Sequence, residues 1–100
     1  MQDIKQLTVN SIRMLSAEAI EKAKSGHPGM PLGAAPIGYA LFTNMVFNNK
    51  DASFDNRDRF ILSAGHASML DYALYYLFGF GLKLDDIKSF RQLGSRAAGH

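Results

Sequence analysis

The sequence predicts an α/β fold, and three stretches carry the prediction. Phe60-Ile61-Leu62 is a short apolar run that reads as a buried strand, and Ser63-Ala64-Gly65 breaks it before an apolar segment of helical length begins. Asp3 to Lys24 repeats apolar residues at helical spacing. Ala67 to Phe80 is apolar nearly all round, so it needs a buried setting, either in a core larger than this chain supplies or in a subunit interface. One hundred residues with 47% hydrophobic content suit one small domain or part of one.

In the first helix Ile4, Leu7, Ile12, Leu15, Ala19, Ile20 and Ala23 form the apolar face, with Lys5, Arg13, Glu18, Glu21 and Lys22 largely between them. Ser25-Gly26 stops it, and His27 lies on a bend because a residue before proline is pushed out of the helical region. The next helix is expected to start between Leu32 and Pro36 and to run to about Phe47, with Ile37, Leu41 and Met45 on one face and small residues near its start for close helix packing. Asn48 to Asp58 reads as a surface connection with Phe54 as its apolar anchor, and the alternating charges of Asn56-Arg57-Asp58-Arg59 as a solvated edge. Asp71, near the start of the apolar helix, is assigned a favourable interaction with the helix dipole. Gly79-Phe80-Gly81 ends that helix, Leu84 to Phe90 forms a short amphipathic helix with acidic residues in its first turn, and Arg91 to His100 is a loop.

Eleven basic and nine acidic side chains leave a formal charge of +2, divided as five against three in the first fifty residues and six against six in the second. That is no electrostatic footprint for nucleic acid. The lack of cysteine excludes disulfides and thiolate-ligated zinc. No apolar run reaches the roughly 18 residues that cross a bilayer, and Met1 to Ser11 lacks the apolar core of a secretory signal, so a cytoplasmic setting without membrane partners is expected. The loop-like ending at Gly99-His100 is expected to continue into a longer chain.

Each of the three histidines follows a glycine: Gly26-His27, Gly65-His66 and Gly99-His100. Glycine lets a backbone turn sharply or approach a ligand closely, so three histidines on separate turns can converge on a polar ligand at one end of a sheet. His66 sits where a strand gives way to a helix, a place whose free N–H groups and helix dipole suit a phosphate or diphosphate. The alternatives are a helix-terminal histidine that satisfies backbone groups and a three-histidine zinc centre, whose usual short ligand spacings are absent. Ser25, Ser63 and Ser68 have no strained nucleophile context.

Five separated blocks then carry a resemblance over almost the whole chain. Ser25-Gly26-His27-Pro28-Gly29-Met30-Pro31, Asn56-Arg57-Asp58-Arg59-Phe60, Ser63-Ala64-Gly65-His66, Phe90-Arg91-Gln92, and Gly94-Ser95-Arg96 with Gly99-His100 resemble, in order, the amino-terminal part of the transketolase family. The resemblance implies that residues 1–100 are the start of a thiamine diphosphate-binding domain, an α/β layer with a largely parallel sheet that this chain only begins. It implies transfer of a two-carbon ketol unit from a ketose phosphate to an aldose phosphate, a step of pentose phosphate metabolism, by a homodimer or with a partner chain that supplies the missing domains. By the family pattern His66 contacts the cofactor's diphosphate side. His27 and His100 match the histidines that line the reaction centre, bind the sugar and assist its proton transfers.

The resemblance also implies a divalent metal, Mg2+ or Ca2+, clamping the diphosphate through ligands outside this chain, since no Gly-Asp-Gly with a downstream asparagine is present. The glutamate that activates the cofactor is absent too, so the chain alone is expected to be inactive. Four positions depart from the pattern: Ala67 stands where the family often has glycine, Asp71 where it is usually apolar, and Ala97-Ala98 where Thr-Pro is frequent. Related thiamine diphosphate enzymes, namely deoxyxylulose-phosphate synthase, dihydroxyacetone synthase and phosphoketolase, remain open as parents, as do a subunit of a split enzyme and a non-catalytic interaction module.

Overall fold

Asp3 begins the first helix by accepting the Gln6 amide at 2.7 Å, and Lys24 ends it in the left-handed conformation (φ 54°), its N–H turned back to the Glu21 and Ile20 carbonyls. The computed structural model describes residues 3–51 and 53–99, and among these it holds four α-helices: α1 (Ile4–Ala23), α2 (Gly29–Asn44), α3 (Ser68–Leu77) and α4 (Leu84–Lys88). A single 3-10 turn, Gly65–Ala67, leads into α3. α1 packs against the other three helices and α2 against α3.

The buried stripe of α1 is Val9, Ile12, Ser16 and Ala19. Ile4 and Leu7, expected in the core, are instead exposed, Ile4 at 72%. They border an open cleft with Tyr39, Leu77 and Phe78, and the first buried residue of α1 is Val9.

α2 starts at Gly29, earlier than expected, because Pro28 itself serves as the residue before the helix and Pro31 falls in the first turn, where no amide hydrogen is required. Pro36 lies inside the helix and cannot donate to the carbonyl four residues back. That carbonyl, of Leu32, accepts the Nε hydrogen of Arg13 at 2.9 Å instead. The helix ends at Asn44 rather than Phe47, where Met45 turns extended, and Asp58 ties down the exit by accepting the Val46 amide at 2.7 Å while donating its own to the Val46 carbonyl. This pairing, rather than the exposed Phe54, anchors the connection.

The buried face of α2 is Pro31, Ala35, Gly38 and Phe42, and Ile37 stands 62% exposed. Small residues win this face because α3 comes very close: a β-carbon on Gly38 would lie 3.2 Å from a Leu74 methyl. Phe42 then centres an aromatic cluster with Phe47, Phe60, Tyr75, Phe78 and Phe80, at ring separations from 5.3 to 6.4 Å.

Phe60-Ile61-Leu62 forms no strand; there is none among the described residues. A strand exists only through a paired neighbour, and these three residues make no backbone hydrogen bond within the described chain. Phe60 is half-buried in the aromatic cluster while Ile61 is 83% exposed.

α3 is buried through Ser68, Met69, Leu70, Ala73 and Leu74, and its tyrosines are half-buried, as its apolar character requires. Asp71 does not behave as a simple partner of the helix dipole. Its Oδ1 is buried without a hydrogen bond, and burial pushes its pKa up to about 6. Gly79 and Gly81, both at positive φ, turn the chain towards α4.

Candidate functional site

Gly26 delivers His27. Its φ of +142° suits glycine alone, and a β-carbon there would lie 2.9 Å from Ile20 and 3.3 Å from the Phe90 ring. The loop between α1 and α2 therefore presses against the core at Gly26 and sends His27 outward, where Pro28 immediately fixes the start of α2.

His66 occupies the middle of the 3-10 turn that leads into α3, held by the Ala67 amide donating to the Ala64 carbonyl at 2.9 Å. From these two separate connections the imidazoles meet: their ring centroids are 5.4 Å apart and the rings are nearly perpendicular, at 86°. Both are exposed. One face of the protein thus offers two adjacent imidazoles, each able to donate or accept a hydrogen bond.

His100 lies outside the described residues. The loop before it is fastened beside the same turn. Ser68, two residues past His66, donates its hydroxyl to the Gly99 carbonyl at 2.7 Å, and the Tyr72 hydroxyl donates to the Ala98 carbonyl at 2.7 Å. Ala97 is fully buried and its carbonyl accepts the Arg91 amide at 2.9 Å. The Ala97-Ala98 pair is thus held by α3 and by Arg91, without a proline.

The contacts of Ser68, Tyr72 and Arg91 with these loops are contributions that residue patterning did not assign. Arg91 has φ +62° and donates from Nη1 to the Ser25 hydroxyl at 2.6 Å. Nothing in residue type or spacing announces a left-handed arginine; its position between Phe90 and a glycine-rich loop is the only trace.

An open apolar cleft of about 490 Å3 lies elsewhere, against Phe42, Phe60 and Phe80, with Arg59 and Arg96 at its rim, and contains neither histidine. It borders the unpaired Phe60-Ile61 segment, so its apolar lining is better read as uncovered core than as a polar-ligand site. Among the described residues no group of three or more His, Asp or Glu side chains is placed to hold a metal ion, and no helix is long and apolar enough to cross a membrane.

Residues 4–100 match the family described as transketolase, thiamine diphosphate binding domain. The transketolase of Aquifex aeolicus is 56% identical over 98 residues, covering 97% of this chain and 14% of its own length. That of Geobacillus stearothermophilus is 55% identical over 98 residues, covering 97% of this chain and 15% of its own. Among solved structures, a Pichia stipitis transketolase mutant in complex with fructose-6-phosphate superposes with a TM-score of 0.97 at 48% identity, over 99% of this chain and 15% of that one. The transketolase of Campylobacter jejuni gives 0.94 at 46% identity, over 100% of this chain and 16% of that one. The chain therefore spans about one seventh of the length of these relatives.

Proposed function

From the premise that this chain belongs to the transketolase thiamine diphosphate-binding domain family, we propose that it serves, within a longer or multi-chain enzyme, the transfer of a two-carbon ketol unit from a ketose phosphate to an aldose phosphate. The observation that carries the reading is the approach of His27 and His66, brought from two connections distant in sequence to a ring separation of 5.4 Å.

The donor set fits the cofactor's diphosphate. Two exposed imidazoles adjoin a turn at the start of α3, and a loop held to that helix runs beside them. When bound, thiamine diphosphate supplies the electron sink for breaking and forming the carbon–carbon bond next to the ketose carbonyl. His66 hydrogen-bonds the diphosphate side of the cofactor. His27 and His100 bind the sugar hydroxyls and move protons to and from them, a task for which imidazole is suited near neutral pH. Mg2+ or Ca2+ on the diphosphate takes its ligands from outside this chain, and the acid that activates the cofactor comes from a further domain of a homodimer or from a partner chain. The enzyme works in the cytoplasm on the sugar phosphates of pentose phosphate metabolism.

The test is calorimetric titration of thiamine diphosphate with Mg2+ into the full-length enzyme, together with ketol-transfer assays on the enzyme and on the 100-residue chain. Cofactor binding and turnover by the enzyme, and none by the short chain, are expected. Turnover by the short chain, or a full-length enzyme that ignores the cofactor, would overturn the reading.

A further inference from the structure

We propose that Arg91 is a positioning residue that sets the distance between the loop carrying His27 and the loop carrying Gly99 and, next along the chain, His100. The inference rests on the functional reading above and adds a residue to it.

Three observations converge on this side chain. Its Nη1 donates to the hydroxyl of Ser25, two residues before His27, at 2.6 Å. Its other flank lies against Gly99: a β-carbon there would come 2.8 Å from Nε and 3.3 Å from Cγ and Cζ. The buried Nε has no hydrogen-bond partner among the described residues, as expected for an edge turned onto a glycine backbone. One planar group thus spans two loops that share no regular secondary structure.

The backbone of Arg91 is shaped for this task. A left-handed arginine (φ +62°) persists only where the surroundings over-determine it, and here the Ala97 carbonyl accepts its amide at 2.9 Å. The guanidinium adds further definition by resting over the neighbouring Phe90 ring, 5.7 Å from its centroid. Phe90 is itself buried and touches the space beside Gly26, so the arginine, the Gly26 bend and the Gly99 segment form one continuous support. Catalytic groups on loops need such support, because a displacement of about 1 Å at a reacting group can cost about a hundredfold in rate. A planar fork does this better than a flexible ammonium.

The experiment is a double-mutant cycle on the full-length enzyme, assayed with a ketose donor that carries no phosphate and with one that does. Arg91→Ala is expected to lower kcat about tenfold or more with both donors, leaving KM and thiamine diphosphate affinity within about twofold. Ser25→Ala is expected to lower kcat in smaller measure and to add nothing to Arg91→Ala. Gly99→Ala, which leaves the arginine in place but occupies its seat, should reproduce the loss.

Should Arg91→Ala not fold, Arg91→Lys against Ser25→Ala closes the same cycle. Effects of Ser25 and Arg91 that multiply independently overturn the positioning role, as does a loss confined to KM for the phosphorylated donor, which would mark direct substrate contact. A wild-type enzyme that transfers no ketol unit overturns the functional reading itself, and the two failures are thereby told apart.

Discussion

Arg13 and Leu32 are joined by a hydrogen bond of 2.9 Å at the carbonyl that Pro36, having no amide hydrogen, leaves without its helical partner. Pro36 would otherwise leave a carbonyl of α2 unpaired, and the arginine on α1 converts that defect into a link between the two helices. Arg13→Met, which keeps the apolar stem but removes the donor, is expected to destabilise the protein by about 1 kcal/mol. In a Pro36→Ala background the restored amide satisfies Leu32, and the same substitution should cost about half as much or less. Urea unfolding of the four variants measures the coupling, and equal costs in both backgrounds would refute it.

Gly26 combines a positive φ with the close approach of core side chains. Its φ of +142° and the 2.9 Å approach to Ile20 together predict that Gly26→Ala destabilises by about 2–4 kcal/mol and displaces the His27 loop. Gly29 is a suitable control: it opens α2, nothing lies within 4 Å of its β-carbon position, and it has no positive φ. Gly29→Ala should be neutral or stabilising by up to about 1 kcal/mol. Thermal unfolding of both variants checks the contrast.

The sequence was most legible where local chemistry decides. The bounds of α1 followed from its apolar period, from Asp3 and from Ser25-Gly26, and the burial of α3 followed from its lack of a polar face. The pairing of Gly with each histidine marked two side chains that do converge, His27 and His66. Strand geometry at Phe60-Leu62 was not legible, because a strand's existence depends on a neighbour that local pattern does not contain. The early start of α2 turned on Pro28 and Pro31, both placed where a helix start requires no amide hydrogen, and the exposure of Ile37 depended on a tertiary exchange, Gly38 making room for the Leu74 methyls. Arg91 escaped for the same reason: its role comes from Ser25 and Gly99, both remote in sequence.

Asp71 gives the fold a pH dependence whose sign is opposite to that of a salt-bridged carboxylate. Burial raises its pKa from 3.8 to about 6, so the folded state holds the proton more tightly than the unfolded chain does. Its contribution to stability is therefore most favourable below pH 3.8, declines as pH rises towards about 6, and stays at its least favourable above that. The carboxyl keeps some solvent contact, which limits the effect to about 1 kcal/mol. The hydroxyls of Tyr72 and Tyr75 are pushed up as well, first by their own burial and then by the Asp71 charge. Asp71→Asn should stabilise by about 1 kcal/mol at about pH 8 and make little difference at about pH 4. Unfolding curves at the two pH values test this, and a stabilisation that is equal at both would show that charge is not the cause.

The perpendicular contact of His27 with His66 predicts a division of labour that kinetics can separate. His66 lies at the start of α3, and by the proposed reading its hydrogen bond goes to the cofactor, so His66→Asn is expected to weaken thiamine diphosphate binding about tenfold. His27 follows the Gly26 bend and faces the sugar in that reading, so His27→Asn should leave cofactor affinity within about twofold and lower kcat about a hundredfold. Because the rings touch, loss of one removes support from the other, and the double variant should lose less than the product of the single effects. Calorimetry and steady-state rates on the full-length enzyme carrying each substitution make the comparison. Equal losses of cofactor affinity from both single variants would show that the two imidazoles serve one ligand group rather than two.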